Sequence, residues 1–132
     1  MIFVDSSFWI AFRNEKDVNH ERAIQMMQEF FRLREQLVIT DHIFAETHAY
    51  FVRSAVKRKQ IMGDLLDNPV VRNMSIGTED RNLALKWLRE RNDKVWSYVD
   101  ALSFAIIERN GIQAAASFDA HFGQPGTFRH LG

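Results

Sequence analysis

Two aspartates follow short apolar segments, at positions where the side chains of a parallel sheet could do chemistry. Asp5 directly follows Ile2–Val4, and Asp119 follows Ile112–Ala116 by a short turn. Open α/β sheets bind their ligands beyond the carboxyl ends of the strands. Both carboxylates are therefore expected at the same edge of one sheet.

Two further acids are placed so that helices can carry them to that edge. Glu46 is expected in the second turn of a helix after Leu37–Ile39, from which its side chain can lean back over the edge. Asp100 begins another helix, where the helix dipole and free N–H groups favour a carboxylate. We therefore expect Asp5, Glu46, Asp100 and Asp119 to converge.

Clustered carboxylates repel one another strongly unless a cation is present. Oxygen ligands that leave room for water suit Mg²⁺ or Mn²⁺. Such an ion lowers the pKa of a water molecule and neutralises the charge that grows on a phosphodiester during its cleavage. The four acids therefore predict metal-dependent phosphodiester hydrolysis.

Each acid also has a purely structural interpretation, which the sequence leaves open. Asp5 could cap the helix that follows it, and Glu46 could be an exposed helical acid. Ser97 and Asp100 have the spacing of a capping box, with Asp replacing the usual Glu or Gln. Asp119 could be an ordinary loop residue. Taken singly, none of the four identifies a site.

The elements that must position these acids alternate between strand and helix, which is typical of an α/β fold with a parallel sheet. The predicted strands are Ile2–Val4, Leu37–Ile39, Val70–Ile76 and Ile112–Ala116. The predicted helices are His20–Arg34, Thr40 or Asp41 to Arg53, Arg58–Leu66, Glu79–Arg91 with Thr78 as N-cap, and Ser97–Asn110 with Gly111 at C′.

Apolar spacing predicts which helical faces are buried. Within the helix over His20–Arg34, one face carries Ala23, Met27, Phe30 and Phe31. Three aromatic residues after the first strand also have helical spacing and are expected in the core: Phe8, Trp9 and Phe12.

Composition indicates one globular domain of 132 residues, with 46% hydrophobic and 26% charged residues. The absence of cysteine excludes disulfides and thiolate zinc sites, and a cytoplasmic setting is expected. The N-terminal apolar run contains Asp5 and is too short to span a bilayer, so no membrane association is expected.

Seventeen basic residues balance seventeen acidic ones, so net charge alone does not indicate a nucleic-acid partner. The local cluster Lys57–Lys59, with Arg53 nearby, could contact phosphates or be a solvated helix face.

The most specific pattern lies near the C-terminus. Ser97–Ala105 followed by Ser117–Phe122 is similar to the S/T-x-x-D-A helix and T/S-x-D-x-x-F turn of the PIN-domain family, specifically the toxin ribonucleases of VapBC-type toxin–antitoxin systems. Ile2–Ser7 resembles the family's first strand ending in Asp-Ser/Thr, and Thr40–Thr47 resembles its helix with a glutamate after strand two. Asp17–Ala23 resembles the entry to the family's second helix.

This resemblance covers nearly the whole chain and implies a single three-layer α/β/α PIN-like domain over residues 1–132. It implies an endoribonuclease that uses Mg²⁺ or Mn²⁺, acts on RNA, forms a homodimer and is blocked by a cognate antitoxin. Some relatives have a further acid near the last one, where this chain has Ala120 and His121. The number of bound ions, one or two, therefore remains open. His121 itself is expected to be a turn or packing residue. The implied metal site and its supporting hydroxyls are Asp5, Glu46, Asp100 and Asp119 with Ser6 and Ser97.

Three other classes of protein compete with this interpretation. A receiver domain that accepts a phosphoryl group has adjacent acids after its first strand, where this chain has Asp5 and Ser6. It also has a lysine after its last strand, where this chain has Phe118 and Asp119. A haloacid-dehalogenase-like phosphatase requires Asp-x-Asp, but position 7 is serine. A catalytically silent PIN scaffold would bind RNA or protein without cleaving it. The presence of all four acids favours the nuclease.

Overall fold

A five-stranded parallel sheet and six helices make up the computed structural model, which describes residues 1–132. The strands are β1 Ile2–Val4, β2 Leu37–Ile39, β3 Val71–Asn73, β4 Ala114–Ala116 and β5 Arg129–Leu131. The helices are α1 Ser6–Arg13, α2 His20–Arg32, α3 Asp41–Tyr50, α4 Ala55–Leu65, α5 Thr78–Glu90 and α6 Tyr98–Arg109. A short 3-10 helix, Ala120–Gly123, precedes β5. The predicted α/β class with a parallel sheet is confirmed.

The order of the strands, β3-β2-β1-β4-β5, locates the functional edge of the sheet. The chain moves outward from β1 through β2 to β3, and then crosses back to β4 on the other side of β1. Because crossovers between parallel strands are right-handed, α1 to α4 lie on one face and α5 and α6 on the other, which gives the predicted three layers. The direction of winding reverses between β1 and β4. Their carboxyl ends therefore border the crevice in which such folds bind ligands.

The three inner strands β1, β2 and β4 are buried along their whole length. A cluster of aromatic rings joins this core to the chain that leaves β4. Phe122 is 1% exposed, and its ring centroid lies 5.0 Å from that of Phe104 and 6.3 Å from that of Phe3. Burial of a ring of this size contributes about 2 kcal/mol or more. Phe122 therefore anchors the 3-10 helix to the core.

Two predicted helix boundaries are wrong because Ser54 starts a new helix. Its hydroxyl accepts a hydrogen bond from the Lys57 N–H at 3.2 Å, so α4 begins at Ala55 rather than Arg58 and ends at Leu65. The preceding helix, α3, ends at Tyr50 rather than Arg53 so that the chain can turn into this cap.

The predicted N-cap of α5 is also wrong. Thr78 is the first residue of the helix and Gly77 occupies the cap position. The Asp80 carboxylate replaces a side-chain cap, because its Oδ2 accepts a hydrogen bond from the Gly77 N–H at 2.8 Å. Its Oδ1 accepts another from Arg109 Nη1 at 2.6 Å.

Other differences from the prediction arise at the ends of elements. α2 stops at Arg32 because Arg34 adopts a φ of +54°, which no helix tolerates. Phe31, expected in the core, is 52% exposed, and Met26 is buried on that helix instead. Gly111 has a φ of +62° just beyond α6, as predicted for a C′ glycine.

β1 and β2 have their predicted bounds, whereas β3 and β4 are shorter than predicted. β3 covers Val71–Asn73 within the predicted Val70–Ile76, and β4 covers the last three residues of Ile112–Ala116. The edge strand β5 was not predicted, because its sequence Arg129–Leu131 lacks an apolar run. Helix α1 is the helix that the capping interpretation of Asp5 requires. No helix of the chain is both long enough and apolar enough to cross a membrane.

Two of the four residues of the basic cluster, Lys57 and Arg58, are engaged within the protein. Lys57 Nζ lies 2.6 Å from Glu15 Oε1 and also donates to the Arg13 carbonyl. Arg58 donates to the carbonyl of Val52. These contacts favour the structural interpretation of the cluster over phosphate binding.

Candidate active site

Asp5 lies at the carboxyl end of β1 and is 5% exposed. It is the N-cap of α1, as its structural interpretation predicted, since its Oδ2 accepts from the Ser7 N–H at 3.4 Å. The same oxygen accepts from Ser7 Oγ at 2.7 Å and from Ser117 Oγ at 2.9 Å. Every one of these donors is neutral.

The two hydroxyls join the carboxyl ends of β1 and β4. Ser7 Oγ accepts a hydrogen bond from the Phe118 N–H at 2.9 Å, and Ser117 Oγ accepts one from the Asp119 N–H at 3.0 Å. Asp5 and Asp119 are therefore held in one network. The sequence analysis did not single out Ser7 or Ser117 as site residues. Ser117 was visible as the first residue of the C-terminal motif, but its contact with Asp5 spans 112 positions, which no local pattern reveals.

Glu46 projects from α3 beside the start of α1. Its Oε1 accepts a hydrogen bond from Ser6 Oγ at 3.0 Å. The carboxylate is therefore oriented by a residue adjacent to Asp5. This contact gives Ser6 a supporting position of the kind that the sequence predicted.

Asp100 and Ser97 form the predicted capping box at the start of α6. The Asp100 N–H donates to Ser97 Oγ and the Ser97 N–H donates to Asp100 Oδ2, each at 3.0 Å. The Asp100 side chain is 14% exposed. The capping box fixes the direction of this carboxylate, so the structural and functional interpretations of the pair are compatible.

Asp119 starts the 3-10 helix, where its Oδ1 accepts from the His121 N–H at 2.9 Å. The turn directs the His121 ring toward the acids. Its Nδ1 lies 3.2 Å from Asp119 Oδ1 and 3.6 Å from Asp100 Oδ2. His121 therefore belongs to the turn, as predicted, but its ring also faces two of the predicted site residues.

The structure brings the predicted acids together to different degrees. Asp100, Asp119 and His121 each offer a ligand atom within 4.8 Å of the other two. Asp5 and Glu46 lie outside this closest group. They nevertheless share its electrostatic environment, as their pKa values indicate.

Burial is the main cause that raises the pKa of Asp5, and the negative charge of Asp100 adds to it, while hydrogen bonds from the serine hydroxyls oppose the shift. Desolvation also raises the pKa of Glu46 most strongly. The charges of Asp5, Asp100 and Asp119 raise it further, against the hydrogen bond from Ser6. The charge of Asp100 therefore acts on both Asp5 and Glu46, and Glu46 also lies within reach of the charges of Asp5 and Asp119.

This set of donors fits a divalent cation. It offers several carboxylate oxygens and one imidazole nitrogen, and such groups bind ions of the Mg²⁺, Mn²⁺ and transition-metal class. The partly exposed side chains of Asp119 and His121 leave the group open to solvent. A bound ion would relieve the repulsion between the acids.

Comparison with known proteins agrees with this geometry. The sequence profile of the PIN domain family matches residues 2–126. The chain is 32% identical over 128 residues to the 23S rRNA-specific endonuclease VapC20 of Mycobacterium tuberculosis, covering 96% of this chain and 95% of that one. The crystal structure of that protein, titled a sarcin-ricin loop cleaving toxin, superposes with a TM-score of 0.85 at 27% identity over 100% of both chains.

Two more distant structures share the fold. A toxin–antitoxin complex from Klebsiella pneumoniae gives a TM-score of 0.72 at 15% identity, and FitAcB from Neisseria gonorrhoeae gives 0.76 at 11%. Each match covers 100% of this chain and 97% of the other. The family resemblance inferred from the C-terminal motif is thus confirmed along the whole sequence. The chain belongs to the PIN-domain family.

Proposed function

We propose that this protein is a divalent-metal-dependent endoribonuclease, and that it is the toxin of a VapBC-type toxin–antitoxin pair. The observation that carries the proposal is the meeting of Asp100 and Asp119 at the crevice between β1 and β4, close enough to Asp5 and Glu46 that the charge of Asp100 raises the pKa of both. The 32% identity to a ribosomal RNA endonuclease over 96% of the chain supports the same activity.

In the proposed site, Asp100 and Asp119 bind Mg²⁺ or Mn²⁺ directly, and Asp5 and Glu46 add negative charge around it. Ser97 orients Asp100 through the capping box, and the hydroxyl of Ser6 orients Glu46. Ser7 and Ser117 fix Asp5 in the same way. When bound, the ion lowers the pKa of a water and neutralises charge on the phosphodiester.

The substrate we propose is structured RNA, and ribosomal RNA in the first place. The similar VapC20 protein is described as specific for 23S rRNA and as cleaving the sarcin-ricin loop. An oligonucleotide with that loop is therefore the first substrate to test. We also propose a cytoplasmic location, since the ribosomes that carry the proposed target lie there.

A cleavage assay tests the catalytic part of the proposal. With the loop oligonucleotide and Mg²⁺ or Mn²⁺, we expect cleavage that stops when EDTA is added, because the acids alone supply neither charge neutralisation nor an activated water. Asp5→Asn and Asp100→Asn should each lower the rate by about 100-fold or more. Asp67→Asn, an exposed acid before β3 at the opposite edge of the sheet, is the matched control and should cleave normally. Undiminished cleavage in EDTA would reject the metal mechanism.

A growth assay tests the biological part separately. Inducing the wild-type chain alone in a bacterium should arrest growth, and the Asp100→Asn chain should not. Co-expression of the product of an adjacent short reading frame should restore growth if that product is the antitoxin. Size-exclusion chromatography reports whether the toxin forms the homodimer that the family resemblance implies. Equal toxicity of both chains would show that the harm does not come from the acidic site.

A further inference from the structure

The turn after β4 places a histidine, His121, rather than a further carboxylate beside Asp100 and Asp119. His121 Nδ1 lies 3.2 Å from Asp119 Oδ1 and 3.6 Å from Asp100 Oδ2. Ligand atoms from the three residues all lie within 4.8 Å of one another. Ligands that share one octahedral ion with bonds of about 2.1 Å are separated by about 3 Å when adjacent and about 4 Å when opposite. The two distances from His121 Nδ1 fall in this range, so the ring is spaced to share an ion with either acid.

The backbone holds this histidine in place before any ion binds. Its N–H donates to Asp119 Oδ1 at 2.9 Å, which ties the residue to one of the acids. The next residue, Phe122, is 1% exposed and is packed between the rings of Phe3 and Phe104. An anchored ring loses little conformational freedom on binding an ion.

We propose that His121 Nδ1 is a third protein ligand of the ion held by Asp100 and Asp119, and that this nitrogen makes the site prefer Mn²⁺ over Mg²⁺. Imidazole binds transition ions well, whereas Mg²⁺ is held mainly by oxygen. The inference rests on the metal site of the proposed nuclease, but not on its RNA substrate. The competing role is a positioning one, in which the ring only forms a hydrogen bond with Asp119.

Pulsed electron paramagnetic resonance of Mn²⁺ bound to the full-length protein separates the two roles. A directly coordinated imidazole nitrogen produces ¹⁴N modulation of the Mn²⁺ echo, and a ring that only bonds to a carboxylate does not. We expect this modulation in the wild type and its loss in His121→Ala and His121→Asp. His48→Ala, which removes a histidine outside the group, is the control and should keep the signal. Modulation that survives in His121→Ala would overturn the proposal.

Titration calorimetry with Mn²⁺ and Mg²⁺ provides a second measurement. His121→Ala should weaken Mn²⁺ binding by about tenfold or more and Mg²⁺ binding much less. His121→Asp restores an oxygen ligand, so it should bind both ions and lower the ratio of Mn²⁺ to Mg²⁺ affinity on the order of tenfold. Stoichiometric Mn²⁺ binding to the wild type without ¹⁴N modulation would refute His121 as a ligand and leave the nuclease proposal intact. Absence of Mn²⁺ binding would refute both.

Discussion

Two buried aspartates in this protein have opposite electrostatic environments. Asp80 is 4% exposed and Asp5 is 5% exposed, and each caps the start of a helix. Asp80 also pairs with the Arg109 guanidinium at 2.6 Å, which raises the pKa of that arginine. Asp5 is bound by hydroxyl and amide donors alone, and the charge that acts on it is that of another acid, Asp100.

We interpret this difference as that between a structural carboxylate and one that a cation from solution would stabilise. Burial of an ionised group without a counter-charge is unfavourable, so a structural acid is normally paired within the protein. Asp80 follows this rule, and Asp5 departs from it at the edge of the sheet where a ligand would bind. Removing each acid should therefore have opposite effects on stability.

The largest expected effect concerns the response to metal. Wild-type protein should gain about 2.7 kcal/mol in the free energy of unfolding when Mn²⁺ is present at 100 times its Kd, because the unfolded chain cannot assemble the ligands. Asp5→Asn should lose most of this gain, and Asp80→Asn should keep it. Thermal melts of the three proteins with EDTA or excess Mn²⁺ measure the difference. An unchanged metal response in Asp5→Asn would show that Asp5 is only a helix cap and takes no part in the proposed metal site.

The next effect is the loss of a structural acid. Asp80→Ala removes both the cap on Gly77 and the hydrogen bonds to Arg109, so it should destabilise the protein by about 2 kcal/mol. Urea denaturation in EDTA measures this change. A neutral effect would mean that Asp80 is no better accommodated than Asp5.

A smaller effect of opposite sign is expected at the site. Asp5→Asn removes one negative charge from the acid cluster at nearly constant shape, and the serine hydroxyls can reorient to accept from the new amide. Without metal this variant should be more stable than wild type by about 1 kcal/mol, which raises the Tm by about 3–5 °C. Differential scanning calorimetry in EDTA tests this expectation. A lower Tm would mean that the capping role of Asp5 exceeds its electrostatic penalty.

The smallest effect is on pH dependence. Because the pKa of Asp5 is higher in the folded protein than in the unfolded chain, the folded state binds more protons between the two values. The metal-free protein should therefore lose stability as the pH rises from about 4 through the raised pKa. Glu46 contributes in the same direction. When unfolding is followed from pH 4 to pH 8, the free energy of unfolding of Asp5→Asn should fall less than that of the wild type. An equal fall in both proteins would show that other groups cause it.

The sequence predicted those parts of the site that local chemistry determines. Asp5 follows a strand, Asp100 belongs to a capping box, and both positions can be recognised within a few residues. The alternation of elements likewise predicted a parallel sheet. The edge strand β5 was not predicted, because a short strand that is half exposed needs no apolar run.

Contacts between distant segments could not be predicted in this way. The hydroxyl of Ser117 reaches Asp5, and the ring of His121 turns toward Asp100, because Phe122 anchors the turn in a core assembled from several elements. The helix face that buries Met26 instead of Phe31 is also decided by neighbouring helices. Propensity and periodicity describe one segment at a time, so they contain no information about such partners.

The hydrogen bond between Asp5 and Ser117 has a consequence for the timing of activity. It joins positions 112 residues apart, so closing it requires almost the entire chain, and contacts of such long sequence separation form late in folding. On the ribosome, β1 emerges well before the turn with Asp119. A nascent chain therefore contains Asp5 and Glu46 before the residues that complete the crevice, and the proposed site can assemble only after the segment with Ser117 and Asp119 has been released.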